Sequence, residues 1–268
     1  MKKEILIIIP AYNEERTIKL VLDDLHESGI LDIADVLVVN DASKDNTNYI
    51  VKKEKVKLVT HVFNLGYGSA IQLGYKYAVR RGYNYVIQMD ADGQHDVSNI
   101  SRLVEELKTP DENERCPDIV IGSRFMEGSG DYRVGFMKRF AIKVFKSFIQ
   151  RHTGRVITDP TSGLQGFRFP AFLYYSKYAN FDERYPDANM ILQMILLKFQ
   201  VREIPAKMYQ REFGKSMHSG LKPALYMFWM ALSLVGIVIR FKWLKTDENI
   251  GERDVVWEKN GEENKREV

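Results

Sequence analysis

The stretch IQMDADGQH, residues 87–95, ends an apolar segment with two aspartates that are one residue apart. In an extended or tightly turned backbone, this spacing lets the carboxylates of Asp90 and Asp92 reach one bound cation. A divalent cation held by few carboxylates keeps positions open for water and phosphate oxygens. Two aspartates beside a glycine also form ordinary turns after strands, so the motif alone leaves both interpretations open.

Apolar segments alternate with helix-length segments on both sides of this stretch. Strands are predicted at residues 5–9, 36–39, 57–62, 83–89 and 118–121. Apolar residues at helical spacing predict helices before Gly29, after the capping residue Asp45, around residues 70–78 and at 99–108. This alternation predicts an α/β fold with a mostly parallel central sheet and helices on both faces.

Polar clusters follow four of these strands, at the point where each strand ends. They read AYNEE after the first strand, NDASKD after the second, DADGQH after the fourth and GSR after the fifth. The carboxyl ends of parallel strands meet at one edge of a sheet, and ligands of such folds bind there. Four clusters of groups that suit a metal or a nucleotide therefore favour one binding crevice over four unrelated turns.

The composition bounds the class of protein. A chain of 268 residues that is 45% hydrophobic can bury a substantial core in one large domain or two small ones. Cys116 is the only cysteine, which excludes an intramolecular disulfide and a Cys-rich zinc site and fits a reducing compartment. The formal net charge is +3, and acidic residues are concentrated after residue 246, so the remainder is basic. A basic body favours anionic partners without selecting one of them.

Two apolar helices are predicted in the second half of the chain. Residues 136–151, FMKRFAIKVFKSFIQR, form a basic amphipathic pattern with Phe136, Phe140, Val144, Phe148, Phe145 and Ile149 along one side. Taken alone, this pattern favours a helix that packs on a core over a helix on a membrane surface. Residues 224–239 carry no charge, but a membrane span needs about 20 residues. We therefore predict an interfacial or re-entrant helix there, with Trp229 and Trp243 at headgroup level.

Seven motifs occur in a fixed order between Ile5 and about Arg240: IPAYNEE, VVNDASKDNT, NLGYGSAIQLG, MDADGQH, GSRF, TDPTSGLQGFR and REFGKS. This series resembles family 2 glycosyltransferases of the GT-A fold, most closely the branch of dolichol- and polyprenyl-phosphate sugar synthases. The resemblance implies a Rossmann-like GT-A catalytic domain over residues 1–220, including the helix at 136–151. A C-terminal apolar, interfacial helix at 221–245 and a charged, mobile tail at 246–268 complete the predicted organisation.

The resemblance implies a site for a nucleotide-sugar donor. The residues implied to bind this substrate are Pro10, Ala11, Tyr12, Glu14, Asp41, Gly66 and Asp90. A carboxylate such as Asp41 can accept a hydrogen from the edge of a base, although Asn40 stands where many relatives carry another aspartate. Asp90 and Asp92, with Gln94 as a third ligand, would hold Mg²⁺ or Mn²⁺ on the donor diphosphate.

The resemblance also implies residues on the acceptor side. Gly122, Ser123 and Arg124 would lie near the donor sugar, and the candidates for holding anionic phosphates are Arg124, Arg168, Arg211, Lys215 and Ser216. Surface ion pairs remain an alternative for each basic residue. The predicted catalytic residues are Asp92, Arg124 and Arg211, with Asp187 or Asp159 as general base when the acceptor is a hydroxyl. Asp187 precedes a helical pattern and is alternatively a helix cap.

These observations predict an inverting, metal-dependent hexosyltransferase that moves a sugar from a UDP-sugar or GDP-mannose to polyprenyl or dolichyl phosphate. The resemblance places the helix at 136–151 on the cytoplasmic face of the membrane, in a peripheral or monotopic protein. A small membrane-protein partner or a homo-oligomer is compatible with this function, and no nucleic acid is expected.

Two alternatives to this function stay open. One is transfer to a glycan hydroxyl in polysaccharide synthesis, with Asp187 or Asp159 as base. The other is an inactive subunit of a membrane complex that only binds a nucleotide-sugar. A nucleotidyltransferase is disfavoured, because AYNEE lacks the glycines and basic residues of a nucleotide loop.

Overall fold

The protein was analysed as a computed structural model, which describes residues 3–130, 132, 134–184, 186–210 and 222–244. Its strands are β1 (Ile5–Ala11), β2 (Ala34–Asn40), β3 (Lys57–Thr60), β4 (Tyr85–Gln88), β5 (Ile119–Ser123), β6 (Gln165–Arg168) and β7 (Val201–Pro205). They form one sheet in the order β3-β2-β1-β4-β6-β5-β7. Only β6 runs antiparallel to its neighbours. The predicted mostly parallel sheet is therefore confirmed.

Eight helices of the described chain surround this sheet. They are α1 (Ile18–Glu27), α2 (Thr47–Lys53), α3 (Tyr67–Arg81), α4 (Ser98–Lys108), α5 (Phe136–Thr153), α6 (Phe169–Ser176), α7 (Ala188–Leu196) and α8 (Lys222–Val238). A π-helical turn, Ile239–Trp243, continues α8. Helices α1, α2 and α4 pack on one face of the sheet, and the other five pack on the opposite face.

The first strand shows why the sheet is covered on both faces. Ile5, Ile7 and Ile9 of β1 belong to the core beside α1, whereas Leu6 and Ile8 belong to the core beside α3. Successive side chains of a strand point to opposite faces, so an unbroken apolar run is typical of a strand buried on both sides.

The direction of the strands brings the polar clusters together. Strands β1, β2, β4 and β5 are parallel and end at the same edge of the sheet. Because β6 is antiparallel, its first residue lies at this edge, and the preceding residues 159–164 lie there too. Its last residue, Arg168, pairs with Tyr85 at the start of β4. Arg168 therefore lies at the opposite edge, away from the crevice.

Two features of the fold differ from the sequence prediction. Strands β6 and β7 were not predicted, because each is short and neither shows a continuous apolar run. The sequence also predicts a buried face of α3 formed by Ala70, Leu73, Gly74, Tyr77 and Ala78, of which Ala70, Gly74 and Ala78 are buried. Ile71 and Tyr75 are fully buried, whereas Leu73 and Tyr77 are only partly buried. The reason is that α3 packs on α6, where the ring of Tyr75 stacks on the ring of Tyr175.

Helix α5 has two apolar stripes with different surroundings. Ala141, Phe145 and Ile149 are buried against the core. Phe136 and Phe140 are 85% and 55% exposed, although the sequence placed them on the same side as Phe145 and Ile149. The helix therefore packs on the domain and still presents an apolar stripe to its surroundings.

Helix α8 is also buried on one side only. Met230 and Leu234 are buried, while Trp229, Leu232 and Val235 are exposed. Among the described residues, the segment Leu225–Trp243 is long and apolar enough to cross a membrane by length and composition, with 19 residues and a mean hydropathy of 1.6. The predicted charged tail, residues 246–268, lies outside the described residues.

Candidate active site

The loops after β1 and β2 are tied together at the crevice. The backbone N–H of Asn13 donates to Oγ of Ser43 at 3.0 Å, and Oδ1 of Asn13 accepts from the N–H of Lys44 at 2.8 Å. Pro10 and Ala11 are buried in β1, and Tyr12 just beyond it is exposed. Oε2 of Glu14 accepts a hydrogen bond from the Thr17 hydroxyl at 3.0 Å. The loops after β1 and β2, which carry these predicted donor contacts, are thus joined to each other at the crevice.

Asp41 organises the loop that leads into α3. Its Oδ1 accepts from the N–H of Leu65 at 2.9 Å and lies 2.7 Å from Nδ1 of His61. Its Oδ2 accepts from the N–H of Gly66 at 2.8 Å. The carboxylate is buried, and the predicted base contact stays a prediction. Gly66 lies beside it with φ of 96°, a conformation that favours glycine.

A chain of buried hydrogen bonds orients Asp90. The Tyr75 hydroxyl donates to Oε1 of Gln88 at 2.7 Å, Nε2 of Gln88 donates to the Tyr67 oxygen at 3.1 Å, and the Tyr67 hydroxyl donates to Oδ1 of Asp90 at 2.9 Å. Nε2 of His95 lies 3.5 Å from the other carboxylate oxygen. Burial and the nearby Asp90 charge raise the pKa of Tyr67 well above its ordinary value, so Tyr67 keeps its proton to donate.

Asp90 stays ionised near neutral pH. Partial burial raises the pKa of this carboxyl group, but contacts with His95 and Tyr67 and the charge of Arg124 outweigh the burial. The pKa of Asp90 therefore lies below its ordinary value. An ionised carboxylate is the form that ligates a cation.

The residues around Asp90 fit a hard divalent cation. Oδ1 of Asp92 accepts from the N–H of Gln94 at 3.1 Å, which turns this segment back on itself. Nε2 of Gln94 donates to the Tyr132 hydroxyl oxygen and to the backbone oxygen of Tyr209. The side-chain carbonyl oxygen of Gln94 is therefore the atom suited to bind a cation. No group of three or more His, Cys, Asp or Glu side chains forms a metal site within the described ranges. Two carboxylates and an amide leave positions for diphosphate oxygens.

Gly163 allows the close approach of the 159–164 segment to Asp90. A Cβ atom at Gly163 would lie 2.4 Å from Oδ2 of Asp90. We expect Gly163→Ala to displace this carboxylate and to weaken Mn²⁺ binding in the presence of UDP or GDP roughly 10- to 100-fold. Titration of Mn²⁺ followed by electron paramagnetic resonance measures this affinity without requiring turnover.

The matched control for this variant is Gly236→Ala. A Cβ atom at Gly236 meets nothing within 4 Å, so this variant should bind Mn²⁺ as the wild type does. Equal Mn²⁺ affinity of Gly163→Ala and the wild type would contradict the placement of Asp90 in the metal site.

Arg124 and Asp159 form a buried, two-pronged ion pair. Nε and Nη2 of Arg124 donate to the two carboxylate oxygens of Asp159 at 2.6 and 2.7 Å. Nη2 also donates to the backbone oxygen of Thr161 at 2.9 Å. Asp159 is completely buried, and both of its oxygens are occupied. Asp159 therefore holds Arg124 in position. Because both of its oxygens already accept hydrogen bonds, Asp159 is poorly suited to act as a general base.

A second carboxylate, that of Glu203, accepts hydrogen bonds from the segment that carries Asp159. Oε1 of Glu203 accepts from the N–H of Asp159 at 2.9 Å and from the Thr158 hydroxyl at 2.9 Å. The Thr158 hydroxyl also lies 2.6 Å from Oγ of Ser123. Ser123 is fully buried, and a Cβ atom at Gly122 would lie 2.8 Å from the Leu164 side chain. Gly122 and Ser123 thus lie beneath the site, in the core, and the crevice itself begins at Arg124.

Asp187 lies immediately before α7 but does not cap it with its side chain. Oδ1 of Asn189 accepts the N–H groups of Asp187 and Met190 instead, both at 2.9 Å. Oδ2 of Asp187 accepts a hydrogen bond from the Tyr226 hydroxyl of α8. The predicted alternative role as a helix cap is therefore wrong for the Asp187 side chain.

Burial makes the carboxyl group of Asp187 a weaker acid than usual. Burial, with a smaller contribution from the Asp159 charge, raises the pKa of Asp187 to about 7, although Tyr226, Arg124 and Lys138 oppose the shift. The unfolded chain releases this proton near pH 4, whereas the folded protein keeps it until about pH 7. Folding is therefore increasingly penalised as the pH rises from about 4 to about 7, and the penalty is constant above that range.

We expect Asp187→Asn to remove this penalty. The free energy of unfolding of the variant should exceed that of the wild type by an amount that grows between about pH 4 and pH 7, up to a few kcal/mol. Urea unfolding at several pH values measures the difference. A difference that is independent of pH would show that Asp187 ionises normally in the folded protein.

Lys138 of α5 is a site residue that the sequence analysis missed. Desolvation on the crevice side and the charge of Arg124 lower the pKa of Lys138, while the carboxylates of Asp159, Asp187 and Asp90 oppose the shift. The charge of Lys138 in turn opposes the rise in the pKa of Asp187, although much of the Lys138 side chain is exposed to solvent. Its sequence signal was its position at the start of a basic amphipathic helix, which did not separate it from the other lysines of α5.

Some predicted site residues lie outside the described structure, and some site residues were not predicted. Arg211, Lys215 and Ser216, predicted to hold phosphates, lie outside the described residues. Tyr67 and Tyr226 were missed, and His95 was considered only as weak support for a zinc site. The contacts of Tyr67 with Asp90 and of Tyr226 with Asp187 join segments that are 23 and 39 residues apart in the chain, so no local pattern could identify them.

A family model for glycosyl transferase family 2 matches residues 6–175, which contain the crevice segments described from β1 to β6. The chain belongs to this family. The predicted resemblance is thereby confirmed, and several curated relatives of this family 2 glycosyltransferase are dolichyl- or polyprenyl-phosphate sugar transferases, as in the predicted branch.

Two curated relatives illustrate this similarity. One is the UDP-N-acetylglucosamine–dolichyl-phosphate N-acetylglucosaminyltransferase of Methanococcus voltae, which is 25% identical over 250 residues, or 87% of this chain and 96% of the relative. The other is the polyprenol monophosphomannose synthase of Mycolicibacterium smegmatis, which is 28% identical over 234 residues, or 84% of this chain and 85% of the relative.

A solved structure supports the GT-A-like fold of this family 2 glycosyltransferase. It is the glucosyl-3-phosphoglycerate synthase of Mycobacterium tuberculosis in complex with Mn²⁺ and UDP-glucose. The TM-score is 0.64 at 18% identity, and the similarity covers 88% of this chain and 79% of the other. At this identity, the comparison establishes the fold alone.

Proposed function

We propose that this protein transfers a hexose from a nucleotide-sugar to a polyprenyl phosphate, with inversion at the anomeric carbon. One observation carries the proposal. Tyr226 of α8 contacts Asp187, the charge of Lys138 of α5 acts on the same carboxylate, and both helices expose apolar stripes. Cationic and apolar surfaces thus meet beside the predicted metal site. An amphiphilic acceptor with a phosphate head and a hydrocarbon tail matches this combination, and the names of both curated relatives agree with it.

The proposed site for the nucleotide-sugar donor lies on the loops after β1 and β2. We assign the nucleoside to Pro10, Ala11, Tyr12, Glu14 and Asp41, and the diphosphate to the metal site. Asp90, Asp92 and Gln94 would hold Mg²⁺ or Mn²⁺, which would neutralise the nucleoside diphosphate as it leaves. The solved relative that contains Mn²⁺ and UDP-glucose is consistent with this donor class.

The reaction is a single displacement. An oxygen of the acceptor phosphate attacks the anomeric carbon and forms a new C–O bond, while the bond from this carbon to the diphosphate oxygen breaks. A phosphate is already anionic, so no strong base is required. We assign Lys138 to the acceptor phosphate. Arg124, which Asp159 holds in place, would stabilise charge on the donor phosphates.

The membrane surface is assigned to the two exposed apolar stripes. Helices α5 and α8 both pack on α7. Burial lowers the pKa of His152 near the end of α5, and the charge of Lys242 just beyond α8 adds to this shift. We propose a catalytic domain over residues 1–220, an interfacial helix over 221–245 and a mobile tail over 246–268. The protein would be peripheral or monotopic on the cytoplasmic face, with room for a small membrane-protein partner or a second copy.

Vesicle binding tests this surface. We expect the double variant Phe136→Ser and Phe140→Ser to bind vesicles of equimolar phosphatidylcholine and phosphatidylglycerol roughly 10-fold more weakly than the wild type, because two exposed rings are lost. Flotation with the vesicles measures the bound fraction. The matched control is Val62→Ser with Phe63→Ser, since these side chains are 84% and 73% exposed and lie on the loop between β3 and α3. Equal loss in both variants would contradict the assignment.

The function is tested by a panel of donors and acceptors. UDP-sugars and GDP-mannose are combined with undecaprenyl or dolichyl phosphate, with and without Mg²⁺ or Mn²⁺, and the products are identified by mass. We expect one glycosyl-phosphoryl-polyprenol product that requires the metal. Absence of lipid-linked product with every donor, together with transfer to a free glycan, would refute the proposal.

The raised pKa of Asp187 favours one alternative function. A carboxyl group with a pKa near 7 suits a general base, as transfer to a glycan hydroxyl requires. Asp187→Asn distinguishes the two functions: we expect turnover with lipid phosphate to fall by no more than about 10-fold, whereas a hydroxyl acceptor would lose nearly all turnover. Turnover of either kind would exclude an inactive nucleotide-sugar-binding subunit.

A further inference from the structure

Helix α8 contacts the acceptor side of the crevice through its hydroxyl side chains. Tyr226 and Ser233 are the only hydroxyl residues between Lys222 and Val238. Seven positions correspond to about two helical turns, so both lie on the same face of the helix. Met230 and Leu234, which are buried on this face, join the core that contains α7. The helix therefore directs both of its hydroxyl groups toward the domain.

The first hydroxyl group contacts the carboxylate at the acceptor site. Tyr226 donates to Oδ2 of Asp187. Asn189 provides the side-chain acceptor for the N–H groups at the start of α7, so the Asp187 carboxylate does not serve this helix. It instead faces α8 and the positive charges of Arg124 and Lys138.

The second hydroxyl group fixes the segment that carries Asp187. Asn189 is completely buried, and its Nδ2 donates to Oγ of Ser233 at 2.8 Å and to Oδ2 of Asp182 at 2.7 Å. On its other side the segment touches α3, since a Cβ atom at Gly68 would lie 2.3 Å from the backbone oxygen of Glu183. Asp182, Glu183 and Asn189 are thus held between α3 and α8. A shift of α8 would act on this segment directly.

We propose that Tyr226 is a positioning residue for Asp187. When α8 lies on a lipid surface, the hydrogen bond from Tyr226 holds the Asp187 carboxylate in position at the acceptor site. The inference rests on the proposed function, in which the acceptor is a lipid phosphate. The part of the protein that contacts lipid then also aligns the group beside which the lipid phosphate reacts. The metal site does not depend on this contact, because Asp90 is oriented separately by Tyr67 and Gln88.

The test removes the single hydroxyl group. We expect Tyr226→Phe to lower kcat roughly 10-fold with undecaprenyl phosphate in vesicles of equimolar phosphatidylcholine and phosphatidylglycerol, because the hydrogen bond that orients the Asp187 carboxyl group is lost. The KM for the donor and the fraction bound to vesicles should not change. The matched control is Tyr83→Phe, which removes a tyrosine–aspartate hydrogen bond to Asp35 at the far edge of the sheet and should leave kcat unchanged.

A double-mutant cycle separates positioning from a general structural role. In the Asp187→Asn background, Tyr226→Phe should cause no further loss of kcat, because its effect acts through Asp187. An equal loss in both backgrounds would overturn the inference, as would a Tyr226→Phe variant that is indistinguishable from Tyr83→Phe. In these cases the wild type still makes the lipid-linked product. Lack of this product in the wild type would instead overturn the proposed function, and the inference with it.

Discussion

Asp92→Ala is expected to abolish metal-dependent sugar transfer, with kcat/KM reduced at least about 100- to 1,000-fold. Asp92 supplies one of only two carboxylates in the predicted metal site. The remaining carboxylate and amide cannot neutralise a departing diphosphate to the same degree. Transfer to polyprenyl phosphate and hydrolysis of the donor should both be lost, because both require the same bond to the diphosphate to break. Initial rates over a range of Mn²⁺ concentrations measure the effect.

The variant must be separated from a general loss of folding. Asp92 lies in a loop, where its Oδ1 accepts a hydrogen bond from the N–H of Gln94 two residues away, and the thermal unfolding of the variant is therefore measured beside its activity. Asp23→Ala is the matched control, since Asp23 lies on the exposed side of α1 and pairs with Lys19. It should keep full activity. Full metal-dependent activity of Asp92→Ala would show that the proposed metal site is wrong.

Asp159→Ala is expected to be the most destabilising carboxylate replacement at the site. It leaves the buried Arg124 guanidinium without its partner, and breaking a buried ion pair in this way costs about 3–5 kcal/mol. Burial and the Asp159 pair act in opposite directions on the pKa of Arg124, and the pair prevails, so Arg124 stays charged. Urea unfolding at neutral pH measures the loss in free energy of unfolding.

This result decides between two roles of Asp159. Asp23→Ala is again the control, and loss of its exposed pair with Lys19 should cost only a few tenths of a kcal/mol. A structural role predicts that Asp159→Ala loses stability and activity together. Unchanged stability with complete loss of transfer to a glycan hydroxyl would instead identify Asp159 as the general base of the alternative function.

The position of the crevice could be predicted because it depends on local signals. Apolar runs define β1, β2 and β4, and the polar residues that follow each run must lie at the end of a parallel strand. Asp41, Asp90 and Arg124 were found in this way. Strands β6 and β7 were missed, and with them the antiparallel pairing that carries Arg168 to the far edge.

The roles of the site residues could not be derived from the chain alone. Asp159 and Asp187 were equivalent candidates for a base in the sequence. The fold surrounds Asp159 with donors from Arg124 and leaves Asp187 facing α8, so their environments differ although their side chains are identical. Lys138 gained its place in the same way, since only the docking of α5 separates it from the other lysines of this helix.

The sequence by itself determined the α/β class, the order of the motifs, the family resemblance and the acidic segment at Asp90 and Asp92. These features depend on residues that are close together in the chain. Only the tertiary structure decided which of them share the crevice, which carboxylate holds Arg124 and which apolar stripe of α5 stays exposed. The physical reason is that burial, ion pairing and pKa shifts arise from neighbours such as Tyr226 and Asp187, which are brought into contact by folding.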